Sequence, residues 1–210
     1  MSANAVTREL LPAEREKLLA HLVALEPEDR RLRFGHVTSD ARLCQYVEGI
    51  DFARDAVFVV TDAELAVVGA AHVARADDHA ELGVSVLTQA RGRGVGAALL
   101  DRSANRARTW GLSVLFMTCL AENEAMLRLA HKQSLKVAVS TGEAEAFVTL
   151  SPATLTSEAA EKHAEQVGLI DHAQKSHWLA LRKRWLATSQ ADFEQAAVRD
   201  TSGDLVSVEE

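Results

Sequence analysis

The run Arg91-Gly92-Arg93-Gly94-Val95-Gly96 carries the clearest chemistry in this chain of 210 residues. It follows Glu81-Leu82-Gly83-Val84-Ser85-Val86-Leu87, which reads as a strand, and precedes Ala97-Ala98-Leu99-Leu100, which reads as the start of a helix. Glycines at such a junction let backbone N–H groups converge on an anion, because no Cβ blocks the approach. The first turn of the helix adds unpaired N–H groups and a partial positive charge. Together they make a site for phosphate or pyrophosphate. Arg91 and Arg93 add charge beside it.

Residues 80–137 resemble the core of the GNAT superfamily of N-acetyltransferases, whose pyrophosphate loop reads Gln/Arg-x-x-Gly-x-Gly/Ala. Arg91, Gly94 and Gly96 fall on its fixed positions, and a second frame runs from Gln89 through Gly92 to Gly94. The later frame places Leu99 and Leu100 where the family packs its helix. Glu122-Asn123-Glu124-Ala125-Met126-Leu127-Arg128-Leu129-Ala130 resembles the Asn-led helix that lines the pantetheine and thiol end of acetyl-CoA in this family. The resemblance implies an α/β (α+β) fold, with a mixed, mostly antiparallel sheet and helices on both faces. It implies acetyl-CoA as co-substrate, held by Arg91, Gly92, Arg93, Gly94, Val95, Gly96 and Asn123. The backbone of Ser85, Val86 and Leu87 would pair with pantetheine and polarise the thioester carbonyl.

The implied activity is transfer of an acetyl group to a primary amine by direct attack in a ternary complex. A lysine-like amine has a pKa near 10.4, so only about one in 2,500 is neutral at pH 7. A base is therefore useful, and Glu81 holds the strand position where this family often places one. Alternation puts Glu81, Gly83 and Ser85 on one strand face, with Gly83 leaving space for a substrate. The family's tyrosine acid, seven residues after the Asn, is replaced by Ala130, and the only tyrosine of the chain is Tyr46. His131 and Ser134 are stand-ins for that acid, and Cys119 would permit an acyl-cysteine route. The Asn-led segment and residues 25–34 are similar to the acetyltransferase domain of bacterial protein-lysine acetyltransferases, which makes protein lysine one acceptor class beside small amines. The rival reading is a non-catalytic acyl-CoA-binding regulatory module acting through its C-terminal helix.

Other elements must hold these residues in place. Residues 12–25 have a helical apolar face, Pro27 ends that helix, and Ser39 or Asp40 caps another that runs through Val47. Residues 56–61 and 65–73 read as a hairpin. A helix over 95–110 stops at Gly111, and a strand follows over 113–117. A helix over 123–133 and strands over 136–139 and 144–150 complete the order β-α-α-β-β-β-α-β-α-β-β. The expected domains are an acetyltransferase domain over 1–150, a helical extension over 151–197 and a disordered tail over 198–210. In the extension Val167, Ile170, Gln174, Trp178, Leu181 and Trp185 form a stripe that must be covered by the domain or by a second chain, and Gly168 is a possible break.

A net charge of −7 argues against nucleic acid as the main partner. No apolar run approaches a membrane span, and residues 1–11 do not read as a signal peptide. Two cysteines and no metal-ligand spacing among eight histidines predict a metal-free protein of the reducing cytoplasm, monomeric or homodimeric.

Overall fold

The computed structural model describes residues 5–133, 135–140 and 143–202. The chain runs β1 (Arg8–Glu9), α1 (Arg15–Val23), α2 (Pro27–Phe34), α3 (Asp40–Glu48), β2 (Ala56–Thr61), β3 (Val67–Arg75) and β4 (His79–Val86). It continues through α4 (Val95–Thr109), β5 (Val114–Leu120), α5 (Glu124–Lys132), β6 (Lys136–Ser140), β7 (Glu143–Thr149) and α6 (Leu155–Ser202). The strands form one sheet in the order β1-β2-β3-β4-β5-β7-β6. Every pairing is antiparallel except β4 with β5.

Strand alternation divides the core between the two sheet faces. Ala56, Phe58 and Val60 of β2 join Leu82, Val84, Leu99, Leu100 and Met117 in one cluster. Val57 and Val59 face the other way and pack with Leu18, Leu22, Leu43 and Val47 of α1 and α3. Helices therefore cover both faces, as the mixed-sheet pattern predicts.

Two local expectations are corrected. Pro27 does end the first helix, but it also opens α2, because a proline at a helix start forfeits an N–H that has no partner there. Gly168 does not break α6. A Cβ there would lie 2.4 Å from the Thr7 carbonyl oxygen, so the glycine permits close packing on the N-terminal segment.

Compact contacts divide the chain into residues 1–171 and 172–210. In the first unit, the packed face of α6 is charged rather than the apolar stripe. Arg102 of α4 reaches Glu165 at 2.7 Å and the Glu161 carbonyl, while Arg106 binds Glu161 and, at 2.6 Å, Glu9. Val167 and Ile170 stay at the surface of this unit. Within this unit, the guanidinium groups of Arg102 and Arg106 on α4 meet the acidic face of α6. Residues 203–210 lie outside the described residues. Among those described, no helix is long and apolar enough to cross a membrane.

Candidate functional site

The loop between β4 and α4 has the backbone that its glycines foretell. Gly92 and Gly94 adopt φ of +73° and +80°, and a Cβ at either would meet nothing within 4 Å. Conformation, not crowding, requires glycine there. Gly94 is the N-cap residue of α4, and no acidic side chain occupies the first turn. The N-terminal N–H groups of a 15-residue helix therefore face the loop without a local anion. Arg91 is tied to the wall, donating through Nε to the Val86 carbonyl at 3.2 Å and pairing with Asp29 at 2.6 Å.

Strands β4 and β5 are parallel partners only over His79–Val114, Ala80–Leu115 and Glu81–Phe116. Beyond that point β4 continues to Val86 and β5 to Leu120 without further rungs between them. The Leu87 N–H donates to the Val68 carbonyl at 2.9 Å. Alternation then turns the Ser85 N–H toward β3 as well, and the N–H groups of Val84 and Val86 toward the gap. Val86 faces the opening through its backbone, while Leu87 is spent on the sheet.

A cavity of about 730 Å³ lies against this opening. Ser85 and Val86, the loop glycines Gly92, Gly94 and Gly96, Asn123 and Arg33 line it. Asn123 is nearly buried: its side chain accepts from the Met126 N–H at 3.1 Å, capping α5, and donates to the Leu32 carbonyl at 3.4 Å. One amide thus fixes the start of α5 and joins it to α2. Arg93 is exposed at the loop, and Arg128 and Lys132 add positive charge along α5.

Glu81 stands apart from this cavity. Its side chain is 72% exposed and lies 3.6 Å from His79 Nε2. The strand face that it shares with Gly83 is covered by Arg33, whose Nη2 lies 1.7 Å from where a Gly83 Cβ would be. The space that Gly83 leaves is therefore filled by a side chain of this chain. Behind Arg33, Tyr46 donates to His72 Nδ1 at 2.7 Å, and His72 Nε2–H donates to Asp55 at 3.2 Å. Burial pushes His72 down, against the pull of Asp55, so the ring is neutral and this tautomer is consistent.

Ser85 donates to His21 Nε2 at 2.8 Å, and His21 Nδ1–H donates to the Val67 carbonyl at 3.0 Å. This resembles a nucleophile and its base. Burial lowers His21 to about 4, however, which makes it a feeble proton acceptor. The pair ties α1 to the sheet. Among the described residues no cluster of His, Cys, Asp or Glu is arranged to hold a metal ion.

Residues 19–134 match the Acetyltransferase (GNAT) family. The chain belongs to this family. The solved structures similar to it include the GNAT domain of PAT from S. lividans, at 19% identity and a TM-score of 0.60 over 69% of this chain and 89% of that one. YncA from Salmonella typhimurium, solved with its cofactor acetyl-CoA, is 19% identical with a TM-score of 0.54, over 72% of this chain and 97% of that one. A cAMP-binding acyltransferase from Mycobacterium smegmatis matches at 20% identity and a TM-score of 0.50, over 77% of this chain and 50% of that one. No curated protein matches the chain.

The position seven residues after Asn123, where the resemblance implies a tyrosine acid, is Ala130 in this GNAT chain. Ala130 is a residue of α5 and is fully buried in the core. His131 is exposed, and Ser134 lies outside the described residues. Cys119 is buried in β5, and burial pushes its thiol up, which disfavours the nucleophilic thiolate. The sequence reading did not place Arg33, Asp29 or Tyr46 at the site. The one signal for them was Gly83, since glycine inside a strand marks a close approach.

Proposed function

We propose that this GNAT protein is an acetyl-CoA-dependent N-acetyltransferase acting on a primary amine. The observation that carries the proposal is the opening between β4 and β5, bordered by a glycine loop on one side and by the Asn123-capped helix on the other. The residues present fit the co-substrate. Two glycines in the left-handed region bare the loop N–H groups, and the α4 N-terminus with Arg91, Gly92, Arg93, Gly94, Val95 and Gly96 suits a pyrophosphate. Ser85, Val86 and Asn123 line the wall where pantetheine would lie. Acetyl-CoA supplies the acetyl group as a thioester.

The remaining steps belong to the chain. The outward N–H of Val86 serves as hydrogen-bond donor where negative charge develops on the carbonyl oxygen. Glu81, at the point where the strands part, takes the proton of the attacking amine, directly or through water. With Ala130 in the acid's place, the thiolate leaves without a dedicated donor, at moderate cost given a thiol pKa near 8.5. Calorimetry with acetyl-CoA and CoA release across an amine and lysine-peptide panel test this. Tight binding without turnover would favour a regulatory acyl-CoA-binding module instead.

A further inference from the structure

We propose that Arg33 recognises a carboxylate on the acceptor, so that the substrate class is a primary amine that also carries a carboxylate. This rests on the acyl-transfer reading above and specifies its second substrate.

The argument begins with charge accounting along α2. Arg30 pairs with Asp40 at 2.5 Å, and Arg31 pairs with Glu28 and Glu122, both at 2.7 Å. Arg33, on the same helix, forms no ion pair among the described residues. Its side-chain hydrogen bond there goes to Tyr46 Oη at 3.2 Å. A guanidinium has five N–H donors in a planar fork that fits a carboxylate, so most of its capacity is unused. The acids that line the same cavity do not supply the partner. Asp29 is held by Arg91, Glu122 by Arg31 and Glu124 by Arg128. Asp55, behind Tyr46, is engaged with His72 and with the Arg75 N–H.

The fork is also held in position. It lies 4.9 Å from the Phe34 ring and 6.0 Å from that of Tyr46. Tyr46 is fixed by its bond to His72, and His72 by Asp55. A half-buried, oriented and uncompensated cation at the wall of a cavity is a built anion receptor. It is not the pyrophosphate site, which lies at the loop beyond the end of β4. Gly83, beneath Arg33, is two residues from Glu81 on one strand face, or about 6.6 Å along the strand. The strand position of the proposed base is thus one alternation step from the glycine that Arg33 covers, while the Glu81 carboxylate itself lies beside His79 and does not pair with Arg33. The carboxylate has two sources, the α-carboxylate of a free amino acid or an acidic residue beside a lysine in a peptide.

The full chain, Arg33→Met and Gly83→Ala provide the test. The glycine variant keeps the guanidinium but places a Cβ 1.7 Å from its present Nη2, which displaces the flexible end of Arg33. Acetyl-CoA affinity is measured by calorimetry. The ratio of kcat/KM is measured for L-lysine against cadaverine, for glycine against methylamine, and for lysine peptides flanked by Asp against Asn. The wild-type chain should favour the carboxylate member of at least one pair by about tenfold or more, and the favoured pair identifies the source. Both variants should bring that ratio near one through KM, with acetyl-CoA affinity held. Equal use of both members by the wild type, a preference that survives in both variants, or a loss of acetyl-CoA affinity instead would overturn the proposal. Absence of turnover with every amine would count against the transferase reading. The Arg33 Nε–H resonance of the CoA-loaded protein then decides: a shift with L-lysine or glycine but not with their decarboxylated partners supports the receptor, and no shift refutes it.

Discussion

Glu81 stands opposite Phe116 on the last rung that β4 and β5 share. One step further the strands part, so the Glu81 backbone marks the apex of the opening while its carboxylate reaches solvent. Replacing Glu81 by Gln keeps the shape and removes the proposed base. Turnover near pH 7 should fall by roughly 10²-fold or more. The loss should shrink as pH rises and free amine becomes abundant. A pH–rate profile checks this, and wild-type turnover in the variant at pH 7 would assign the proton to another group.

Gly94→Val should abolish acetyl-CoA binding while the domain still folds. At a φ of +80° a β-branched residue is strained by about 1–3 kcal/mol. Relief of that strain closes the loop and turns its N–H groups away. Calorimetry and circular dichroism together separate lost binding from lost folding. Unchanged affinity would remove the loop from the site.

Two truncations should behave differently. Ending the chain at Leu150 removes Glu161 and Glu165 and strands Arg102, whose side chain is 2% exposed. That should cost on the order of 3 kcal/mol and lower Tm or cause aggregation. Ending at Asp171 keeps these partners and should keep the Tm of the first unit. Light scattering of the full chain against the 171-residue form also tests whether Trp178 and Trp185 mediate a homodimer. Equal Tm values for both truncations would show that α6 contributes nothing to the fold.

Stability should fall between neutral and mildly acidic pH. His21 titrates at about 4 in the fold against an ordinary 6.5, because burial disfavours the charged ring. Between these values the unfolded chain binds the extra proton, so the contribution is complete above about 6.5 and is lost as pH falls toward 4. The full effect is on the order of 3 kcal/mol. His72 shifts in the same direction through burial. Urea melts at pH 7 and pH 5 should show the drop, and His21→Asn should reduce it. A His21 ring that titrates by NMR near 6.5 would sink this account.

The loop, the cap and the strand alternation were legible because neighbours in the chain decide them. Positive φ calls for glycine at 92 and 94, and Asn123 caps a helix that begins one residue later. Ser39 caps α3 for the same local reason. The continuous apolar run of β2 likewise announced a strand buried on both faces. What the tertiary structure decided are contacts between residues far apart in sequence. Arg33 over Gly83 spans 50 positions, and the Arg102 bond to Glu165 spans 63. Val167 and Ile170 of α6 looked packed in the sequence yet lie at the surface of their unit, because hydrophobic spacing is visible in a sequence and charge pairing across the fold is not. Periodicity says which residues share a face. Only the folded chain says which face meets a partner, since that depends on the charges the other elements bring to it.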